Sequence, residues 1–226
     1  MAPAEVTGAG WVPAWVRGIT GEESSPGHRG PAEPVGISVT TMSFPALSPG
    51  PTAVLRDGSE VLIRPVRPAD AALLAEGFER LSPESRRLRF LTAKDGLSPA
   101  ELHYLTDVDH HDHEAIGALD PVTGQGAGIA RYIRDSKDPR TAEIAVTIVD
   151  GWQGRGLGTE LVARLAGHAR AEGIERFVAL TAGGNVPMGL LLRHMGGTVL
   201  AREFGTVEYE LNLTGITEPE PLPQAS

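Results

Sequence analysis

The hydrophobic and polar positions divide the 226-residue chain into a patterned centre and two unpatterned ends. Residues 1–52 are rich in Pro, Gly, Ser and Thr and keep no period of 2 or 3.6, so we predict a disordered or loosely attached arm. Residues 214–226 are rich in Pro and Glu and are predicted to be a disordered tail. The patterned stretch between them, residues 53–213, is expected to fold as one domain.

Within this stretch, short apolar runs alternate with segments of helical period. We predict strands over 60–66, 114–119, 127–134, 141–149, 174–181, 198–203 and 206–213, and helices over 68–81, 83–91, 99–105, 157–172 and 186–195. The order gives an antiparallel meander, a right-handed strand–helix–strand unit and a final hairpin. The predicted fold class is therefore α/β, with a mixed and mostly antiparallel sheet.

Composition and charge narrow the classes of function. The chain has no cysteine, which excludes disulfides, thiolate metal sites and cysteine nucleophiles. A net charge of −9 argues against nonspecific nucleic-acid binding. No apolar run approaches the roughly 20 residues that span a bilayer, and the N-terminus lacks the pattern of a secretory signal. We therefore expect a cytoplasmic protein that binds neither nucleic acid nor membrane.

The segment Gln153–Gly158 (QGRGLG) lies between an apolar strand, residues 143–149, and the long helix that begins at Leu157. The first N–H groups of a helix have no partner inside the helix and can bind an anion at the helix N-terminus. Glycines allow a tight turn and a close approach of phosphate to the backbone. We therefore predict that a pyrophosphate docks on residues 153–159.

Two well-known phosphate loops do not fit this segment. A Walker loop requires a lysine after its glycines, and none is present here. A Rossmann fingerprint reads GxGxxG early in the fold, whereas Gly154, Gly156 and Gly158 give GxGxG late in the chain. Gln153–Gly158 instead matches Q/R-x-x-G-x-G/A and resembles the acyl-CoA pyrophosphate loop of the GCN-five-related N-acetyltransferases, the GNAT superfamily. The element order over residues 57–213 is also similar to a GNAT domain, which implies the GNAT fold with a strand–helix–strand unit that binds acyl-CoA.

A closer resemblance is to the catalytic domain of bacterial Pat-type protein lysine acetyltransferases, through residues 63–68 (IRPVRP), 81–85 (LSPES), 89–90 (RF), 105–109 (LTDVD) and 142–146 (AEIAV). This resemblance implies an N-acetyltransferase that moves the acetyl group of acetyl-CoA to a primary amine, with lysine side chains of proteins as the expected acceptor. The alternatives are a small-molecule amine acetyltransferase and a non-catalytic acyl-CoA-binding regulatory module. A monomer or a homodimer is expected, with no metal.

The resemblance also implies a track for the cofactor. The N–H groups of residues 155–159 would hold the pyrophosphate, with Arg155 adding charge and Thr159 a hydroxyl. The strand before the loop would pair with the pantetheine amides where two strands splay apart, and Asn185 would hold the arm from the other side. The predicted cofactor-binding residues are Val146, Thr147, Ile148, Gln153, Gly154, Arg155, Gly156, Leu157, Gly158, Thr159 and Asn185.

For the chemistry, Glu143 is the candidate general base. It lies in an apolar strand, and a glutamate at this strand position is the base in the Pat-like enzymes that the chain resembles. The alternative is a solvent-facing strand residue. Many GNAT enzymes protonate the leaving thiolate with a tyrosine seven residues after the asparagine, but Leu192 occupies that position here, so no general acid is assigned.

Two polar clusters are given simpler interpretations. His110, His111, Asp112 and His113 are expected to form a polar loop near the acceptor entrance, because adjacent residues point in different directions and no second cluster supplies further metal ligands. Arg86, Arg87 and Arg89 are expected to form a solvated helix face; the alternatives are contact with an acidic protein surface or with the 3′-phosphate of CoA.

Overall fold

Eight strands form one mixed sheet in the computed structural model, which describes residues 52–217 and 219. In chain order the strands are β1 (Thr52–Val54), β2 (Glu60–Pro65), β3 (His113–Leu119), β4 (Gly126–Arg134), β5 (Thr141–Ile148), β6 (Arg176–Ala182), β7 (Thr198–Glu203) and β8 (Thr206–Asn212). Their order in the sheet is β1-β2-β3-β4-β5-β6-β8-β7, and only β5 and β6 pair in parallel. The predicted α/β class with a mostly antiparallel sheet is confirmed.

Five α-helices accompany the sheet: α1 (Ala71–Glu79), α2 (Pro83–Phe90), α3 (Pro99–Thr106), α4 (Leu157–Ala171) and α5 (Val186–His194). The Ser-Pro pairs begin α2 and α3: Ser82 Oγ accepts a hydrogen bond from the N–H of Ser85, and Ser98 Oγ accepts one from the N–H of Glu101. After α4, Gly173 has a φ of +78°, as expected for a left-handed cap. The predicted helices are therefore present, with ends shifted by a few residues.

The parallel pair β5–β6 is short, and this creates an opening in the sheet. Cα pairing runs only from Thr141 with Arg176 to Glu143 with Val178. Beyond that point β6 continues to pair with β8 on its other side, and β5 continues to pair with β4. The edge of β5 from Ile144 onward therefore has no partner strand on the side of β6.

The two faces of the sheet carry different helices. Successive side chains of a strand point to opposite faces, so Ala142 and Ile144 share one face and Glu143 and Thr147 share the other. Ala142 and Ile144 belong to the large core that includes the buried face of α4. On the other face, Phe78 of α1, Phe90 of α2 and Leu81 between the two helices form a smaller apolar cluster with Val149. The sheet is thus covered by α4 on one side and by α1–α3 on the other.

The predicted ends of the domain need adjustment. Strand β1 begins at Thr52, one residue inside the predicted arm; the rest of that arm, residues 1–51, lies outside the described residues. At the other end, Leu213–Gly215 form a 3₁₀ turn and Ile216 packs into the large core. Arg170 holds this segment by donating hydrogen bonds to the carbonyl oxygens of Leu213 and Ile216. Ile216 therefore buries an apolar side chain three residues beyond the boundary predicted after residue 213.

A search of the described residues finds no helix with the length and apolar character needed to cross a bilayer.

Candidate active site

A cleft of about 800 Å³ lies where β5 and β6 diverge. Its walls come from β5, the glycine loop, the first turn of α4, one side of α2 and the loop and first turns of α5. Ten of the eleven predicted cofactor-binding residues line it: Val146, Thr147, Ile148, Gln153, Gly154, Gly156, Leu157, Gly158, Thr159 and Asn185. Residues separated by up to 39 positions in the chain therefore face one space.

The glycine loop presents backbone rather than side chains to this cleft. Gly154 and Gly156 have φ values of +76° and +94°, which other residues rarely adopt. Gly156 is the N-cap of α4 and supplies no side-chain cap, so the N–H groups of the first turn point outward without a side-chain partner at the cap. A Cβ on Gly158 would lie 3.4 Å from Leu191 Cδ2, so glycine also allows α4 and α5 to approach each other. This geometry suits an anion at the N-terminus of α4.

The arginine that lies beside the glycine loop in the cleft is Arg56, not the predicted Arg155. Arg155 does not line the cleft: its guanidinium lies 4.9 Å from the centre of the Trp152 ring, with Nη1 3.6 Å from Asp57 Oδ2. Arg56, from the turn between β1 and β2, lines the cleft instead, and its side chain lies against Gly156. The backbone N–H of Arg56 also donates to the carbonyl oxygen of Arg155 at 3.2 Å. The strand hairpin thus brings a positive charge beside the loop.

Polar contacts fix α2 against the glycine loop. Gln153 Nε2 donates to the carbonyl oxygen of Ile148 at 3.1 Å and to Ser85 Oγ at 3.3 Å. The carboxylate of Asp150 accepts hydrogen bonds from the Ser82 N–H, from Ser82 Oγ and from Ser85 Oγ, all at 2.8 to 2.9 Å. Partial burial of Asp150 opposes its ionisation, but these hydrogen bonds outweigh it and lower the pKa of the carboxyl. The start of α2 is therefore held at the mouth of the cleft.

Asn185 lines the opposite wall of the cleft and caps α5. Its Oδ1 accepts a hydrogen bond from the N–H of Met188 at 3.2 Å, which fixes the orientation of the side-chain amide. Because the oxygen is used by the helix, the NH₂ group is the part of Asn185 that can bind a ligand.

Glu143 occupies the last paired position of β5 and β6, opposite Val178, and its side chain is half-buried. It lies three residues before Val146, beyond the lining of the cleft, and on the face covered by α1–α3. Arg89 of α2 lines the cleft and interacts electrostatically with Glu143. Burial lowers the pKa of Arg89 to about 10, and the carboxylate of Glu143 opposes that shift.

Arg89 is half-buried at the cleft, so the prediction that the arginines of α2 form one solvated helix face does not hold for it. Arg87 fits that prediction, since it is exposed and forms an ion pair with Glu84 at 2.8 Å. Arg86 lies over the ring of Phe78 and donates to the carbonyl oxygens of Leu81 and Glu79. Arg89 instead turns toward β5. The helix places successive residues about 100° apart, so three neighbouring arginines cannot share one environment.

None of the three tyrosines of the chain lines the cleft. The Tyr132 hydroxyl donates to the carbonyl oxygen of His111, and burial raises its pKa well above the usual value. The Tyr209 hydroxyl accepts a hydrogen bond from Arg193 Nη1 at 3.1 Å, and Tyr104 packs against the ring of His113. Leu192, at the expected position of the general acid, is fully buried. The cleft therefore lacks a tyrosine acid.

The histidine loop is held by its neighbours. Asp109 Oδ1 accepts hydrogen bonds from the N–H groups of three of the loop residues. His110 and His168 both lie beside the buried carboxylate of Glu114, and His113 Nε2 lies 3.1 Å from Arg131 Nη1. Within residues 52–217 and 219, no group of three or more His, Asp and Glu side chains has the geometry of a metal site.

The glycine loop, the open edge of β5 and the capping asparagine thus surround one cleft within an α/β sheet, and comparison with known sequences agrees with this geometry. A family model described as "Acetyltransferase (GNAT) domain" matches residues 60–198, more than half of the chain. The chain belongs to the GNAT acetyltransferase family.

Among its relatives, Acetyltransferase Pat of Mycolicibacterium smegmatis is 31% identical over 186 residues, which cover 79% of this chain and 54% of that protein. Acetyltransferase PA5475 of Pseudomonas aeruginosa is 37% identical over 136 residues, 59% of this chain and 73% of the relative. Among solved structures, the GNAT domain of S. lividans PAT matches with a TM-score of 0.67 and 31% identity, over 71% of this chain and 95% of that domain. The chain thus spans about half the length of the mycobacterial relative.

Proposed function

We propose that this protein transfers the acetyl group of acetyl-CoA to primary amines, with lysine side chains of proteins as the acceptor. The observation that carries the proposal is the convergence of the glycine loop, the unpaired edge of β5 and Asn185 on one cleft. Membership of the GNAT family supports the donor. The resemblance to Pat-type enzymes supports the acceptor.

The donor would bind along the cleft in two parts. The pyrophosphate would accept hydrogen bonds from the N–H groups at the start of α4, with Arg56 adding a positive charge at the loop. The pantetheine amides would pair with the unpaired backbone edge at Val146–Ile148, and the NH₂ group of Asn185 would contact the arm from the other wall. These contacts fix the thioester at the divergence of β5 and β6, so the reaction with the amine becomes effectively unimolecular.

Glu143 would accept the proton of the acceptor ammonium. Its carboxylate lies beyond the cleft lining and on the other face from Val146, so we propose that the proton passes through a bridging water rather than directly. Arg89 lines the cleft and interacts electrostatically with Glu143, so it connects the donor site with the proposed base.

The transfer itself exchanges one bond for another. The neutral amine nitrogen attacks the thioester carbonyl carbon and forms the carbon–nitrogen bond. The nitrogen then gives its second proton to water, the carbon–sulfur bond breaks, and CoA leaves as the thiolate. Because no tyrosine lines the cleft, we propose that the thiolate departs to solvent and takes its proton from water. A thiol pKa of about 8.5 makes this departure feasible without a dedicated acid.

A donor-labelling experiment tests the proposal. The protein and a Glu143→Gln variant are incubated with acetyl-CoA and either a bacterial lysate or a panel of small amines. We expect acetyl-lysine on a few lysate proteins with the wild-type chain and a strong loss with the variant. Release of CoA thiol only in the presence of a small amine would refute the protein acceptor, and acetyl-CoA binding without any turnover would favour a regulatory module.

A further inference from the structure

A second cavity, of about 100 Å³, lies on the face of the sheet that α1–α3 cover, between these helices and strands β2–β5. Its walls are almost entirely apolar and include Leu73, Leu74, Phe78, Leu97, Leu105 and Ile129. We call it the helix-side cavity. An apolar cavity of about 150 Å³ in a protein core is large enough for benzene, so this one has room for about four carbon atoms.

Gly77 keeps this cavity open. It lies in α1 four residues after Leu73 and thus on the same helix face, and Leu73, Gly77 and Leu81 all line the cavity. A glycine inside a helix costs about 1 kcal/mol relative to alanine, and no close contact requires one here, since a Cβ on Gly77 would have no atom within 4 Å. The missing side chain leaves space rather than relieving a clash.

The helix-side cavity adjoins the donor cleft. Thr147 and Arg89 line both spaces, and Thr147 follows Val146, where the pantetheine arm is proposed to pair with β5. An acyl group attached to that arm could therefore pass between Thr147 and Arg89 into the apolar space. This continuity points to the acyl chain as the occupant.

The charges at the cavity disfavour the amine acceptor as its occupant. Arg131 is only 3% exposed, lines the cavity and lies close enough to Arg89 for their charges to repel. The one carboxylate in the lining, Asp70, is held by Arg64 through two hydrogen bonds of 2.6 and 2.7 Å. A protonated lysine would meet two guanidinium groups and no available carboxylate, whereas a neutral aliphatic chain meets the apolar walls.

We propose that the helix-side cavity binds the aliphatic chain of acyl-CoA donors longer than acetyl-CoA, up to about four carbons. The inference rests on the proposed acyl-CoA function and adds a donor class to it. The bonds that form and break are those of acetyl transfer, with butyryl in place of acetyl. Each buried methylene corresponds to about a fourfold gain in affinity, so butyryl-CoA, with two more methylenes, should bind about 15-fold tighter than acetyl-CoA.

The test compares donors on the wild-type chain and on two variants. Dissociation constants and kcat/KM are measured for acetyl-CoA, butyryl-CoA and succinyl-CoA with one amine acceptor. We expect butyryl-CoA to bind about 15-fold tighter than acetyl-CoA in the wild-type chain. Succinyl-CoA, whose chain has the same length but ends in a carboxylate, tests the alternative that Arg89 and Arg131 bind an acidic acyl group in the same cavity.

Gly77→Leu should fill the cavity and abolish the preference for butyryl-CoA while acetyl transfer is retained. Gly77→Ala is the matched control, since it leaves most of the space and should keep the preference. Equal affinity of the wild-type chain for acetyl- and butyryl-CoA would overturn the inference, and this comparison decides the question even where the leucine variant does not fold. A preference for succinyl-CoA would also overturn it, whereas failure to bind any acyl-CoA would instead refute the proposed function.

Discussion

Glu143 lies opposite Val178 at the last position where β5 and β6 are paired, immediately before the two strands diverge. The candidate base is therefore held by pairing on both sides, with Ile133 of β4 as its other neighbour, while the next residues of β5 have a free edge toward β6. A rigid base beside an open edge is the arrangement that a transfer reaction requires, because the acceptor nitrogen must reach both the base and the bound thioester.

Replacing Glu143 by Gln should lower kcat by about 10²- to 10⁴-fold, the usual contribution of a general base. The dissociation constant of acetyl-CoA should stay within about twofold, because Glu143 does not line the donor cleft. Stopped-assay kinetics and calorimetric titration separate the two effects. Glu175→Gln, at an exposed position just before β6, is the matched control. A variant that loses donor affinity rather than turnover would contradict the assignment of Glu143 as the base.

The sequence predicted those structural features that depend on residues adjacent in the chain. The Ser-Pro starts of α2 and α3, the glycine after α4 and the loop at Gly154–Gly158 each follow from neighbouring residues, and all are present in the structure. The position of Asn185 at the same cleft was expected only through the resemblance to GNAT enzymes, and Asn185 does line the cleft.

The features that the sequence analysis missed depend on contacts between distant residues. Arg56 is about 100 positions from the glycine loop, and only the pairing of β1 with β2 brings it there. The inward direction of Arg89 depends on how α2 is held by Asp150, which lies 61 positions later in the chain. Ile216 was assigned to the tail because a single apolar residue among polar ones shows no helical or strand periodicity. In the structure it packs into the large core.

Arg56→Ala should weaken acetyl-CoA binding by roughly 3- to 10-fold, because it removes a positive charge at the glycine loop. The effect should shrink as salt is raised, since the side chain is exposed. Arg155→Ala is the control: its guanidinium contacts Trp152 and Asp57 rather than the cleft, so it should change the affinity less. Titrations at two salt concentrations check both variants, and a larger effect at Arg155 would refute the assignment of Arg56.

Gly156→Ala should impair both stability and donor binding. A φ of +94° costs an alanine roughly 1–2 kcal/mol, and its Cβ would lie 3.2 Å from Arg56 Cγ, beside the predicted pyrophosphate site. Gly173→Ala has a similar backbone cost at a φ of +78° but lies at the far end of α4. Both variants should unfold at lower denaturant, and only Gly156→Ala should raise the KM for acetyl-CoA. Equal KM values for the two variants would show that the loop does not bind the donor.

Because of His113, the free energy of unfolding should decrease as the pH is lowered into the mildly acidic range. Burial and the neighbouring Arg131 lower the pKa of the imidazole from 6.5 to about 4, so between these values the unfolded chain binds a proton that the folded chain does not. Stability therefore rises with pH across this window, by about 2 to 3 kcal/mol in total for this one group. In His113→Gln this part of the pH dependence should disappear, as measured by urea unfolding at pH 4.5, 5.5 and 7.

The exposed His103 provides the comparison for this measurement, because His103→Gln removes an imidazole from a largely solvated site. That variant should keep the pH dependence of the wild-type chain. If His113→Gln and the wild-type chain lost stability in parallel from pH 7 to 4.5, the imidazole of His113 would not be the group that is buried in its neutral form. The contact between His113 and Arg131 would then have to form with a different protonation state in solution.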